Sequence, residues 1–145
     1  MGVDVGTVRV GVAVCDPDGI LATPLVTLRR DQSVAENDVP TDIADLQRLA
    51  REHEAIEVIV GLPVNLAGKE SIAAGHVRTY SQILSQVIAP IPVRLADERM
   101  STAVATRRLS ERGVRGGRRR AVVDQAAAVE ILQGWLDAAR RRRDA

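Results

Sequence analysis

The stretch Gly2-Val3-Asp4-Val5-Gly6-Thr7-Val8-Arg9-Val10-Gly11-Val12-Ala13 decides the fold of this chain. It puts a carboxylate, Asp4, inside a short apolar strand, and an alternating strand follows directly after Gly6 and Thr7. Burial of an unpaired ionised carboxylate is costly, so such an Asp is expected to have a metal ion, a cation or hydrogen-bond donors as its partner. The glycines leave room for a backbone or a ligand to come close. The simpler interpretation, an Asp that caps a turn at a strand end, loses weight because two further acidic residues occupy similar settings.

The hydrophobic pattern of the rest of the chain predicts an α/β domain. We expect strands over 2–6, 8–15, 20–28, 56–60 and 91–95, and helices over 41–53, 70–88, 101–113 and 121–139. The first three strands are joined by short turns and form an antiparallel meander, whereas the later strands need parallel crossovers through helices. This order predicts a mixed five-stranded sheet flanked by helices, in a single domain over residues 1–145.

Side-chain periodicity predicts which residues of these elements face the core. Alternation in the second strand puts one set on one face: Val8, Val10, Val12 and Val14. Helical spacing gives the inward residues of the first helix as Ile43, Leu46, Leu49 and Ala50. The inward residues of the next helix are predicted to be Ile72, Tyr80, Ile83, Leu84 and Val87. Pro24 interrupts the third strand, which favours an edge position or a bulge.

Composition limits the class of protein. No apolar run is long enough to span a bilayer and no signal peptide is visible, so a cytoplasmic location is the expectation. The single cysteine, Cys15, excludes an intramolecular disulfide framework and a cysteine-based zinc cluster. Its place on an alternating strand is typical of a small buried hydrophobe.

Positive charge is concentrated in two segments of a chain whose net charge is only +1. Residues 113–120 carry +4 and Arg140–Arg143 carry another +4, which leaves −7 on the remainder. Such segments suit a polyanion such as nucleic acid. The alternative is a solvated loop followed by a frayed basic tail at about 140–145, and for the tail we favour this alternative.

Three carboxylates occupy settings that point to chemistry: Asp4, Glu98 and Asp124. Glu98 follows the last strand, at the edge where parallel α/β sheets bind their ligands. Asp124 falls in the first turn of the last predicted helix and shares an apolar face with Ala128, Ile131 and Trp135, so it should point at the protein. Two simpler explanations stay open: the helix dipole favours an acid at Asp124, and Glu98 could pair with a neighbouring arginine.

Carboxylates that converge repel one another unless a cation joins them, and an all-oxygen ligand set suits Mg²⁺ or Mn²⁺. Two such ions, roughly 3.5–4 Å apart, can activate a water and stabilise the leaving oxygen in phosphodiester hydrolysis. Polar residues near the acids suit phosphate binding. The candidate donors are Thr7, Asn65, Ser101 and Thr102, and the candidate cations are Arg9 and Arg99.

With these residues in place, the chain resembles the YqgF/RuvX family of RNase H-like nucleases, which includes Holliday junction resolvases and pre-16S rRNA processing nucleases. The resemblance covers essentially the whole chain and is carried by four blocks: residues 2–13, 60–68, 97–102 and 123–133. It implies an RNase H-like fold, metal ligands at Asp4, Glu98 and Asp124, and products with a 5′-phosphate. The family's basic stretch ahead of the last acid matches Arg118, Arg119 and Arg120, and Arg115 belongs to the same arginine-rich loop.

Several functions stay open at this point. A metal-dependent nuclease that processes the 5′ end of pre-16S rRNA is the main hypothesis. A Holliday junction resolvase is the alternative; it would need a homodimer, because a four-way junction is two-fold symmetric. Asp4 to Thr7 also resemble the phosphate loop of sugar kinases and actin-like ATPases, which need a second domain and a second loop that this chain lacks. A non-catalytic nucleic-acid-binding module is a distant alternative.

Overall fold

The structure is a computed structural model that describes residues 1–33, 38–64, 67, 69–97 and 117–144, with the side chains of 117–120 left out. Its strands and helices follow in the order β1 Gly2–Val5, β2 Arg9–Cys15, β3 Ala22–Arg29, α1 Thr41–Glu52, β4 Val58–Leu62, α2 Ile72–Ile88, β5 Val93–Asp97 and α3 Gly117–Asp144. The predicted helix over 101–113 lies outside the described residues. No helix in the described ranges has both the length and the apolar character that a membrane crossing requires.

The five strands form one sheet in the order β3-β2-β1-β4-β5. β2 pairs antiparallel with β1 and β3, whereas β4 pairs parallel with β1 and β5. The predicted mixed sheet is therefore confirmed. Pro24 lies on the edge strand β3, opposite Ala13, where the β2–β3 register shifts. This position suits a residue that cannot donate a ladder hydrogen bond.

The two faces of the sheet carry different side chains. One face presents Val3, Val5, Val10 and Val12 to α1 and α2, and all four are buried. The other face presents small residues, among them Ala13, to α3, which packs there with Ala127, Ala128 and Leu132. Because side chains alternate between the faces of a strand, Asp4 lies on the same face as Gly2, under α3.

Three of the predicted inward residues are exposed in the structure, Val8, Ile72 and Ile83, and so is Ile56 at the start of the predicted strand 56–60. Val8 and Ile56 precede β2 and β4, so neither side chain is held in the sheet. On α2, the buried line runs through Val77, Tyr80 and Leu84. Ile72 and Ile83 lie roughly 90–110° around the helix from the centre of that line, given 3.6 residues per turn. The remaining predicted inward residues are buried or packed against the core.

The last helix is longer at both ends than predicted. It begins at Gly117, so Arg118, Arg119 and Arg120 are helical, and the prediction of a loop there was wrong. It continues to Asp144, so the basic tail is helical instead of frayed. Arginine is a good helix former and is favoured near a helix C-terminus by the dipole. Contacts add to this, since Arg140 pairs with Asp137 at 2.6 Å and the Arg142 guanidinium lies 5.9 Å from the Trp135 ring centroid.

A polar network joins the start of α1 to α2. Asp42 is buried on α1, where its Oδ2 accepts a hydrogen bond from the Tyr80 hydroxyl at 2.7 Å and its Oδ1 accepts one from the Asp31 backbone at 3.2 Å. Asp31 in turn accepts from the Thr41 backbone N–H at 3.0 Å, which satisfies one of the open donors at the helix start. The Thr41 N–H is the largest cause that lowers the pKa of Asp31 below its usual value of 3.8.

We expect Asp31→Asn to lower the melting temperature at neutral pH, and the difference from wild type to vanish in acid. A carboxyl whose pKa is lowered by folding stabilises the protein above its unfolded pKa, and this stabilisation is lost as pH falls through the folded pKa, here below 3.8. Thermal unfolding followed by circular dichroism from neutral pH to about pH 2 measures this. Asp38→Asn, at an exposed Asp, is the control. A gap that persists undiminished at the acid end would contradict the capping role.

Candidate active site

Gly11 allows the last helix to approach the sheet closely beside Asp4 and Asp124, the two predicted site acids that the structure describes. It is the cross-strand partner of Asp4. A Cβ built on Gly11 would lie 2.1 Å from the backbone oxygen of Asp124, so α3 rests directly on β2 at this point. Gly2 makes a similar approach to Ala128 possible farther along the helix. Asp4 and Asp124 therefore lie beside the same glycine, on the same side of the sheet.

Both acids are deeply buried, with Asp4 1% and Asp124 0% exposed. The prediction that Asp124 faces the protein is confirmed, because it shares its buried face with Ala128 and Ile131. Its predicted place in the first helical turn was wrong, since α3 begins seven residues earlier, at Gly117. The helix dipole acts on the first turn only, so it does not explain this buried acid.

Arg9 is a cationic partner of Asp124. Its Nε donates to Oδ2 of Asp124 at 2.6 Å, and its side chain is only 16% exposed. Arg9 lies two residues before Gly11 on β2, so strand alternation turns it to the face that α3 covers. The sequence alone predicts that Arg9 binds phosphate, not that it pairs with Asp124. The available signal was that Arg9 and Gly11 are two residues apart and therefore share a face of β2, and that Gly11 is the cross-strand partner of Asp4.

Two polar residues that the sequence analysis missed fix α3 beside the acids. Thr27 on β3 donates its hydroxyl to the Ala121 carbonyl at 2.9 Å, and Gln125 donates its side-chain amide to the Thr27 hydroxyl at 3.1 Å. These bonds hold the helical turns on either side of Asp124 against the sheet. A Thr on a half-buried strand and a Gln next to the acid gave only a weak sequence signal.

The other predicted site residues are only partly described. Thr7 is exposed between β1 and β2, and its carbonyl accepts a hydrogen bond from the Gln32 amide at 2.8 Å. The arginines at 118–120 are in the first turn of α3, with no side-chain description. β5 ends at Asp97, immediately before Glu98. The following predicted residues lie outside the described ranges: Asn65, Glu98, Arg99, Ser101, Thr102 and Arg115.

The donor chemistry of the described acids fits a hard divalent cation. Asp4 and Asp124 supply carboxylate oxygens, the ligands that Mg²⁺ and Mn²⁺ prefer. Within the described part of the chain, no group of three or more His, Cys, Asp or Glu side chains could hold a metal ion. The predicted third acid, Glu98, is not in that part. The two described acids thus fit a metal by chemistry and burial, as a partial ligand set.

The sheet order, with buried acids on the first strand and the last helix, defines an RNase H-like α/β domain. Residues 1–138 match the family model described as "RuvX: Holliday junction resolvase". The chain belongs to the RuvX family.

Curated relatives are similar over nearly the whole chain. A protein of Frankia casuarinae is 51% identical over 140 residues, which are 97% of this chain and 67% of the relative. A protein of Mycobacterium ulcerans is 54% identical over 137 residues, 94% of this chain and 77% of the relative. A protein of Nocardia farcinica is 50% identical over 137 residues, 94% of this chain and 76% of the relative. All three carry the name "Putative pre-16S rRNA nuclease".

Proposed function

We propose that this chain is a divalent-metal-dependent nuclease that processes the 5′ end of pre-16S rRNA. The observation that carries the proposal is the burial of two carboxylates, Asp4 and Asp124, beside one glycine. Structural acids are rarely this buried, because desolvation of a carboxylate is costly. Two of them on one face of the sheet are an arrangement that can hold a shared divalent cation. Acid clusters of this kind are typical of metal-assisted phosphodiester hydrolysis.

Each part of the chain has a role in this proposal. Asp4 and Asp124 hold one or two Mg²⁺ or Mn²⁺ ions through their carboxylate oxygens. The bound metal would supply an activated water and stabilise the charge that develops on the phosphate oxygens. Arg9, Thr7 and the arginines at 118–120 contact phosphates of the substrate, as cations and hydroxyl donors commonly do. The pairing of β1 with β2 holds Asp4 in position before substrate arrives, and the close contact of α3 with Gly11 does the same for Asp124.

Glu98 is our proposed third carboxylate. It directly follows β5, whose residue Ala96 packs against the cluster beneath α3. Ala96 therefore lies on the face of the sheet that α3 covers, which is also the face of Asp4, two positions before Glu98 in the sequence. β1, β4 and β5 run parallel, which puts the ends of β1 and β5 at the same edge of the sheet. Parallel α/β sheets bind ligands outside that edge.

The relatives' names favour rRNA as the substrate, and the family description favours a four-way DNA junction. We give precedence to rRNA, because the relatives at 50–54% identity carry that name. A role in rRNA processing is consistent with the predicted cytoplasmic location. Junction resolution is the second candidate, and it would need a dimer that presents two sites to a symmetric substrate. Asn65, Arg99, Ser101, Thr102 and Arg115 complete the proposed nucleic-acid contacts in either case.

The test compares cleavage of a labelled pre-16S 5′-end fragment and a labelled four-way DNA junction, with Mg²⁺ and with Mn²⁺. Asp4→Asn is the inactive variant, and Asp18→Asn, at an exposed Asp on the β2–β3 turn, is the matched control. We expect metal-dependent cleavage of the RNA that Asp4→Asn loses and Asp18→Asn retains. Symmetric cuts in the junction alone would instead identify a resolvase. Binding of either substrate without any cleavage would favour the non-catalytic module.

A further inference from the structure

We infer that Arg9 is a built-in counter-cation that occupies Asp124 when no metal is bound and must release it for a divalent cation to bind. The inference rests on the proposed metal site and concerns how that site is loaded. Its basis is the contact between Arg9 Nε and Asp124 Oδ2 at 2.6 Å, in a region where Asp124 is 0% exposed. Removal of water from around this carboxylate makes a positive partner necessary.

The geometry of the contact favours exchange over a permanent structural pair. A guanidinium can hold a carboxylate with two parallel hydrogen bonds, and that bidentate arrangement is the strong one. Arg9 uses Nε alone. Its Nη2 is buried and makes no hydrogen bond within the described part of the chain. The guanidinium is thus incompletely bonded where it lies, which leaves donors for a second partner such as a phosphate.

Charge repulsion also argues against simultaneous binding of Arg9 and a divalent cation to the Asp124 carboxylate. A divalent cation on Asp124 would stand within a few ångströms of the Arg9 guanidinium, in a setting where water screens their repulsion poorly. Both would also draw on the single negative charge of one carboxylate. Arg9 therefore moves off Oδ2 when the cation binds, and its side chain then becomes available to the substrate phosphate. The cost of this release lowers the apparent metal affinity, since only the fraction of molecules with Asp124 released is competent to bind.

The neighbouring strand offers a matched control. Arg29 on β3 is the direct cross-strand partner of Arg9, and it is exposed. It makes no ion pair within the described residues. Arg29→Gln thus removes the same charge from the same level of the sheet and leaves the Asp124 contact intact. A difference in Mn²⁺ affinity between the two variants therefore reports the contact of Arg9 with Asp124, and not the general loss of one positive charge near the site.

The experiment is calorimetric titration of Mn²⁺ into the metal-free protein in the absence of nucleic acid. We expect Arg9→Gln to bind Mn²⁺ at least about fivefold more tightly than wild type. Fivefold is the low end of the usual coupling between two binding events at linked sites, here the Arg9 contact and the metal. Arg29→Gln should stay within about twofold of wild type. Arg9→Lys, which keeps the charge, should fall between wild type and Arg9→Gln and serves if Arg9→Gln does not fold.

The possible failures are distinguishable. If wild type binds Mn²⁺ and Arg9→Gln binds it equally or more weakly, Arg9 supports the metal site instead of competing with it, and this inference is overturned alone. If no variant binds Mn²⁺, the proposed metal site and the inference are both overturned. Thermal unfolding gives a second readout: in chelator Arg9→Gln should melt below wild type, and Mn²⁺ should raise its melting temperature by more than it raises that of wild type.

Discussion

Gly11→Ala is expected to destabilise the fold by about 3 kcal/mol or more, at the upper end of the cost of overpacking. The new methyl group would lie 2.1 Å from the Asp124 carbonyl oxygen and 2.5 Å from its carbonyl carbon. These are backbone atoms of a helix, so no side chain can rotate away and α3 itself must move off the sheet. That movement would also separate Asp124 from Asp4, so cleavage activity should fall together with stability. Urea denaturation followed by circular dichroism measures the first effect.

Gly134→Ala is the matched control for Gly11→Ala. Gly134 lies on the same helix, and a Cβ there would meet nothing within 4 Å. Because alanine is a better helix former than glycine, this variant should be more stable than wild type by roughly 0.5–1 kcal/mol. A Gly11→Ala protein with the wild-type urea midpoint would show that α3 does not rest on β2 at Gly11. The account of how the two acids meet would then fail.

The sheet could be predicted from the sequence, whereas the ends of its strands could not. Alternation and turn residues gave the antiparallel meander, and the buried apolar runs gave the parallel strands. The apolar run predicts a strand over 56–60, but pairing starts at Val58, and β4 continues through Gly61 to Leu62. The run at 91–95 shifts by the same two residues, to Val93–Asp97. Strand ends depend on hydrogen bonding to neighbours, and composition does not report this.

The candidate site was predictable only as far as local patterns reach. An acid in an apolar strand and an acid on an apolar helix face were sufficient to predict that Asp4 and Asp124 are buried. The Arg9–Asp124 pair joins residues 115 positions apart, and no local pattern carries that information. The start of α3 was missed because glycines next to arginines resemble a loop, although Arg and Ala favour helix. This error suggested a dipole role for Asp124 that the longer helix excludes.

Asp124→Asn is expected to reduce metal-dependent cleavage by about three orders of magnitude or more, because the proposed metal ligand would contribute several kcal/mol to transition-state stabilisation. The same change should lower the free energy of unfolding in metal-free buffer by roughly 3 kcal/mol, the low end for loss of one partner of a buried ion pair. The reason is that Arg9, only 16% exposed, loses its carboxylate. Initial rates of cleavage and urea denaturation measure the two effects separately.

The double variant Arg9→Gln/Asp124→Asn separates the structural role of Asp124 from its catalytic one. Two neutral amides replace the ion pair, so neither position 9 nor position 124 carries a charge that has lost its partner, and much of the lost stability should return. Activity should not return, since the carboxylate ligand is still absent. Cleavage by Asp124→Asn within tenfold of wild type would remove Asp124 from the proposed site. Recovery of both stability and activity in the double variant would mean that Asp124 serves only to neutralise Arg9, and the metal would then have to be held by other residues.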